Sequence, residues 1–85
     1  MQSRVNTALQ LAHALRRYRR RLGLTQTQAA ARVGLLQKTV SALETNPERC
    51  QIESLFRLLS ALELDLFLDS KPADAVHEDK FPWSP

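Results

Sequence analysis

Apolar residues recur at helical spacing through most of this chain and switch to a two-residue period only once. Ala8, Leu11, Ala12, Leu15, Tyr18 and Leu22 fall on one face of a helix that should run from about Thr7 to Leu22. Gly23 ends it in the usual position past a helix C-terminus. Thr25 offers a capping oxygen to a second helix, Gln26 to Val33, whose first turn holds no bulky apolar side chain. Gly34 stops that helix. After the tight connection Gly34-Leu35-Leu36, a third helix is expected from Gln37 to about Glu44, with Val40 and Leu43 facing inward. Asn46-Pro47 breaks the pattern. A fourth helix is predicted over roughly Gln51 to Leu62, its buried stripe being Ile52, Leu55, Phe56, Leu59 and Leu62. Leu58 widens that stripe beyond what one small core needs.

The period-two segment is Leu64-Asp65-Leu66-Phe67-Leu68, which predicts a short strand. A lone strand cannot satisfy its own backbone, and an exposed apolar edge invites pairing. A homodimer in which two copies pair antiparallel across a two-fold axis resolves this, with Leu58, Leu62, Leu64, Leu66 and Leu68 at the interface. The alternative is an extended tail flanking the helices. From about residue 70 the chain carries Pro72, Pro82 and Pro85, several charges and no periodicity, so disorder is expected. Phe81 and Trp83 nevertheless put an aromatic pair near the end. The organisation read from this pattern is one domain over residues 1–69 and a tail over 70–85.

Charge alters the picture once it is divided. The formal net charge is +3. Residues 1–62 carry ten basic and three acidic residues, for +7, whereas residues 63–85 carry two and six, for −4. The basic residues of the body are Arg apart from Lys38, and guanidinium matches phosphate in a fork geometry that ammonium lacks. An Arg-rich body points to a polyanionic partner. Cys50 is the only cysteine, so no intrachain disulfide forms, and a single thiol fits a reducing cytoplasm. No apolar run approaches about 18 residues and no signal-peptide pattern opens the chain, which sets aside membrane spans and export.

The strongest constellation spans Gln26 to Leu43. Ala30 follows Gln26 by four residues, Gly34 follows by four more, Val40 by six and Leu43 by three. Ala30 is small where two short helices cross closely, and Gly34 takes the left-handed conformation that the turn requires. Val40 and Leu43 pin the third helix. This is helix-turn-helix spacing, in which the third helix enters the DNA major groove by its N-terminal residues. Gln37, Lys38 and Ser41 are the candidate base readers, since Gln matches adenine N6 and N7 and Lys reaches guanine O6 or N7 or a phosphate. Thr39 serves either a thymine methyl and the backbone or the helix cap. Thr25, Gln26 and Thr27 open the second helix, where free N–H groups and the positive dipole end favour phosphate.

In the run Arg16-Arg17-Tyr18-Arg19-Arg20-Arg21, Arg16, Arg17 and Arg20 lie opposite the apolar stripe while Arg19 and Arg21 flank it. Arg19 is assigned to an ion pair with Glu44, Arg17 to a solvated face, and Arg16 and Arg20 to either phosphate contact or solvent. His13, His77 and Cys50 are scattered, which gives neither metal-ligand spacing nor a nucleophile–base pair. With Gly23 and Gly34 as the only glycines, no phosphate-cradling loop exists. No cofactor, metal site or catalytic residue is expected, and an enzyme is disfavoured.

The stretch Leu15-Arg16, Arg19, Gly23-Leu24-Thr25-Gln26, Ala30, Val33-Gly34-Leu35, Gln37, Thr39-Val40-Ser41 and Leu43-Glu44 resembles the Xre and lambda-repressor family. Asn46-Pro47, Ser54 to Leu59, Leu62-Glu63-Leu64, the short strand and the tail with its Trp look like the HipB-type antitoxins. In this chain Cys50 stands where relatives tend to carry a capping hydroxyl, and Trp83 is followed by Ser84-Pro85. The resemblance implies an all-α domain of four to five helices, with one C-terminal strand pairing across a homodimer. It implies an autorepressor that binds double-stranded DNA at palindromic operators, and a HipA-like serine/threonine kinase toxin as partner, met by Phe81 and Trp83. Stand-alone phage-like repression, and an interaction module that has lost DNA binding, are the competing classes.

Overall fold

The computed structural model describes residues 2–71. Its elements are α1 (Ala8–Arg21), α2 (Gln26–Arg32), α3 (Gln37–Leu43), a single 3₁₀ turn (Pro47–Arg49) and α4 (Ile52–Ala61). Each helix lies within the span that the apolar periodicity predicts, shortened by a residue or two at its ends.

Local chemistry sets the boundaries. Thr7 caps α1, its Oγ1 accepting from the Gln10 amide at 3.1 Å. Arg19, Arg20 and Arg21 fill the last turn, where positive charge opposes the helix dipole. Thr25 caps α2 in a reciprocal box: its hydroxyl accepts from the Gln28 amide at 3.0 Å, and Gln28 Oε1 accepts from the Thr25 amide at 2.9 Å. Three of the helices end alike. Leu24 donates back to the Arg19 carbonyl, Leu35 to Ala30 and Leu64 to Leu59, each closing a Schellman turn. The left-handed residue in these turns is Gly23 (φ 71°), Gly34 (φ 69°) and Glu63 (φ 60°). Gly suits that conformation, whereas Glu63 occupies it at a steric cost of about 1–2 kcal/mol. Arg32 reaches over this turn, donating to the Ala61 carbonyl at 3.1 Å and lying 3.6 Å from the Glu63 carboxylate.

One core holds the helices together. Leu15, Val40, Leu43 and Leu58 are its largest fully buried side chains; Leu59 and Ala61 of α4, and Leu62 at its C-cap, add to it. Ala29 and Ala30 of α2 are buried in this core, at 0% and 2% exposure. Helices of seven residues, as α2 and α3 are, do not persist alone in water. Their stability is borrowed from this packing.

Four expectations are not met within the single chain. Leu58 and Leu62 were expected at a dimer interface but are 0% and 2% exposed within a single chain. The phase of α4 turns Leu55, Leu58, Leu59 and Leu62 toward α1–α3, which leaves Ile52 and Phe56 outside at 71% and 49% exposure. Ile52 and Phe56 therefore do not belong to the buried stripe. Residues 64–71 form no strand among the described residues, because one chain supplies no neighbouring edge to bond with; Leu64 packs on the core while Leu66 and Leu68 are exposed. The position before α4 that a hydroxyl was expected to cap is filled by Gln51 and not by Cys50, and Gln51 makes no side-chain cap. Phe81, Trp83 and the disorder expected of the tail beyond Lys71 lie outside the described residues. Among the described residues, no helix is long and apolar enough to cross a membrane.

The burial of Leu58 is directly testable. Leu58→Ala should cost about 2–5 kcal/mol in urea denaturation, by lost burial and a residual cavity. Because the side chain is enclosed by its own chain, that loss should be the same at low and high protein concentration.

Candidate nucleic-acid interface

The site starts from a buried ion pair. Arg19 of α1 and Glu44, which caps the C-terminus of α3, are 8% and 5% exposed. The pair is bidentate: Arg19 Nε donates to Glu44 Oε2 at 2.6 Å and Nη2 donates to Oε1 at 3.0 Å. Arg19 Nη1 donates to the Leu24 carbonyl at 2.8 Å, which ties the α1–α2 link to the same guanidinium. The hydrogen bonds that Arg19 donates to Glu44 push the guanidinium pKa above its already high ordinary value, against the opposing effect of burial. Among the described residues no buried side-chain nitrogen or oxygen is left without a hydrogen bond. The sequence-based pairing of Arg19 with Glu44 is therefore found, but the flank position assigned to Arg19 proves to be an interior one.

A chain of hydrogen bonds leads from this pair to the surface. Gln26 Nε2 donates to Glu44 Oε1 at 3.2 Å, and Gln37 Nε2 donates to Gln26 Oε1 at 2.6 Å. The direction of the chain is fixed by chemistry. An ionised carboxylate only accepts, so Gln26 must turn its NH₂ toward Glu44 and its oxygen outward. That oxygen can only accept, so Gln37 must turn its own NH₂ inward. Gln37 is left with one N–H donor and its Oε1 acceptor at the N-terminus of α3. A freely rotating glutamine would offer donor and acceptor in either order; here the order is set.

The other expected residues surround this point. Lys38 is exposed, Thr39 and Ser41 are half-buried, and Thr27 is exposed beside Gln26 at the start of α2. Lys38 and Thr39 line a shallow groove shared with Ala42, Cys50, Gln51 and Ser54, so the turn before α4 forms one bank of a furrow along α3. Cys50 is half-buried and its thiol donates to the Asn46 carbonyl at 3.6 Å. Thr25 is occupied by its capping box. Leu36, just before α3, is exposed and apolar. Arg16 and Arg20 are exposed on α1. The sequence reading missed the link between Gln26 and Gln37, although their separation of eleven residues is the distance across the two-helix motif. It also missed Gln28, whose signal was the Thr25-x-x-Gln28 spacing.

Comparison with known proteins places this geometry. A helix-turn-helix family model matches residues 15–68. Antitoxin HipB of Escherichia coli O6:H1 is 32% identical over 83 residues, which covers 94% of this chain and 88% of that protein. Antitoxin HipB of Escherichia coli K12 is 31% identical with 94% of each chain covered. Among solved structures, a chain from a HipA-HipB-O2-O3 complex superposes with a TM-score of 0.79 at 31% identity, covering 84% of this chain and 100% of that one. A chain from a HipB-O4 20mer complex gives the same TM-score of 0.79, also at 31% identity, with 84% and 100% covered.

The ion pair on which the site rests gives a stability prediction. Glu44→Ala should cost about 3–5 kcal/mol, because it strands a buried guanidinium without a counter-charge. Chemical denaturation followed by far-UV circular dichroism measures it; a loss below about 1 kcal/mol would mean that the pair is solvated and ordinary.

Proposed function

The chain belongs to the helix-turn-helix family, among the HipB antitoxins, and on that premise we propose that it binds operator DNA as an autorepressor and neutralises a HipA-like serine/threonine kinase toxin. It acts by binding, not as an enzyme. The observation that carries the DNA reading is the oriented Gln37 carboxamide at the exposed N-terminus of α3. Adenine offers N7 as acceptor and N6 as donor on its major-groove edge, which is the complement of the donor and acceptor that Gln37 retains. Lys38 and Ser41 read neighbouring positions from the same helix. Thr25, Gln26, Thr27 and Thr39, together with Arg16 and Arg20, hold the phosphate backbone and set register.

The operator is palindromic and the protein is a homodimer in this reading. Support comes from apolar surface that a lone chain does not cover: Ile52 and Phe56 lie one turn apart on α4, and Leu66, Phe67 and Leu68 follow, Leu68 being 94% exposed. Exposed large apolar side chains that lie together mark interaction sites. Leu64, Leu66 and Leu68 gain backbone partners when two such segments pair antiparallel. Residues 1–69 then form the DNA-binding and dimerisation domain of a cytoplasmic protein, and residues 70–85 carry Phe81 and Trp83 toward the kinase.

Two measurements test these assignments. Gln37→Ala should relax preference at one base pair per half-site and cost about 1–3 kcal/mol there, in binding to operators substituted one position at a time. An unchanged preference removes Gln37 from base reading. Sedimentation at micromolar concentration should show a dimer, and Phe56→Asp should shift it to monomer without unfolding it; a parent protein that sediments only as monomer overturns the dimer.

A further inference from the structure

Next to Gln37 stands a side chain that neither capping nor packing uses. Leu36, the N-cap residue of α3, is 62% exposed. Thr7 and Thr25 cap α1 and α2 with their hydroxyls, whereas Leu36 has no hydroxyl and makes no side-chain cap. Ser, Thr, Asp and Asn are the favoured residues there, and Leu is among the poorest. Packing does not account for the choice either. The connection already sends Leu35 onto the core, and the Leu35 amide closes the turn on the Ala30 carbonyl. Leu36 contributes its backbone alone: its carbonyl accepts from the Thr39 amide at 3.0 Å and the Val40 amide at 3.3 Å, which anchors the residue to the first turn of α3. Its position is therefore fixed while its side chain stands in the open. Departures of this kind from local preference gather at functional sites.

We infer that Leu36 is a specificity-determining residue whose side chain packs on the C5-methyl of a thymine, in the base pair next to the one that Gln37 reads. The inference rests on the DNA-binding reading above and deepens it by adding an apolar reader to the polar ones. Gln37 follows Leu36 directly and is exposed as well. Successive Cα atoms lie about 3.8 Å apart and successive bases of one strand rise about 3.4 Å, so one residue step matches one base step. Major-groove edges otherwise present donors and acceptors; the thymine methyl is the apolar group among them. Against any other base edge, leucine covers polar groups that it cannot satisfy, so the contact rejects as well as attracts. The next residues, Gln37 and Lys38, are exposed and polar, which denies this position the apolar centre that a protein partner uses.

Removing a single methyl tests the contact. The full chain selects duplexes from a randomised pool, and in a selected duplex each thymine is replaced in turn by deoxyuridine, which keeps every hydrogen bond and lacks only the methyl. Binding is followed by fluorescence anisotropy. One replacement per half-site, beside the base pair whose preference Gln37→Ala relaxes, should weaken binding about fourfold, the worth of one buried methyl. Leu36→Ser should bind the thymine and deoxyuridine duplexes alike, and Leu36→Met should keep the difference. Serine supplies the capping hydroxyl that leucine lacks, so α3 is not weakened in the first variant. Cytosine at the same position should bind about fourfold better when methylated at C5. If no deoxyuridine weakens binding although Gln37→Ala relaxes preference, the inference fails and the DNA reading stands. If the methyl dependence survives Leu36→Ser, another residue meets the methyl and the inference fails. If Leu36→Ser binds DNA as the parent does but abolishes dimer sedimentation or capture of the kinase toxin, Leu36 belongs to a protein interface and the inference fails. A parent protein that selects no sequence removes the functional reading, and this inference with it.

Discussion

The Arg19–Glu44 pair is the constraint from which the rest of the domain is arranged. Two charges removed from water lose several kcal/mol of hydration each, and only a fully satisfied geometry returns it. That geometry recruits α1 through Arg19, the end of α3 through Glu44, the α1–α2 link through the Leu24 carbonyl and α2 through Gln26. An apolar core tolerates small slides of one helix over another. The forked pair does not, because a shift of an ångström breaks two hydrogen bonds at once. The interior pair therefore contributes definition of the relative positions of α1, α2 and α3 more than net stability, and the surface inherits that definition. Gln37 is ordered because an interior carboxylate can accept but cannot donate.

Short helices make this dependence necessary. With seven residues each, α2 and α3 have too few internal hydrogen bonds to fix their own axes. Capping and turn chemistry at Thr25, Gly34 and Gln28 set where they start and stop, and the core set by Leu15, Val40, Leu43 and Leu58 sets where they lie. The reading surface is then a by-product of the interior. Residues that face DNA in the proposed function are short-range neighbours of residues that never leave the core.

Much of this was legible from sequence, and the limits are physical. Helix extents followed from apolar periodicity, Thr25 and Gly34 from local backbone demands, and Arg19 with Glu44 from the need to neutralise a charge on a half-apolar face. Those are one-dimensional signals. The phase of α4 was misjudged because Ile52, Leu55, Phe56, Leu58, Leu59 and Leu62 are apolar round most of the helix, so periodicity alone cannot say which of them face in. Packing decided it, by presenting α1–α3 to Leu58 and not to Phe56. The strand was predicted from alternation that is real, but a ladder is a property of two edges, and one chain has only one. The Gln26–Gln37 bond was hidden because both residues read as ordinary exposed polar positions; only their side chains meet.

The closed core has a consequence for dose. Leu58 and Leu62 are consumed inside each chain, so the core needs no side chain from a second copy to close. For a protein that acts as proposed on a two-fold operator, free subunits then accumulate in folded form and pair by mass action. While subunits outnumber pairs, the pair concentration follows the square of the total, so halving the supply lowers it about fourfold. A subunit that needed its partner in order to fold would vanish between those states. On the proposed reading the subunit, its core closed alone, persists, and operator occupancy becomes a steep gauge of copy number.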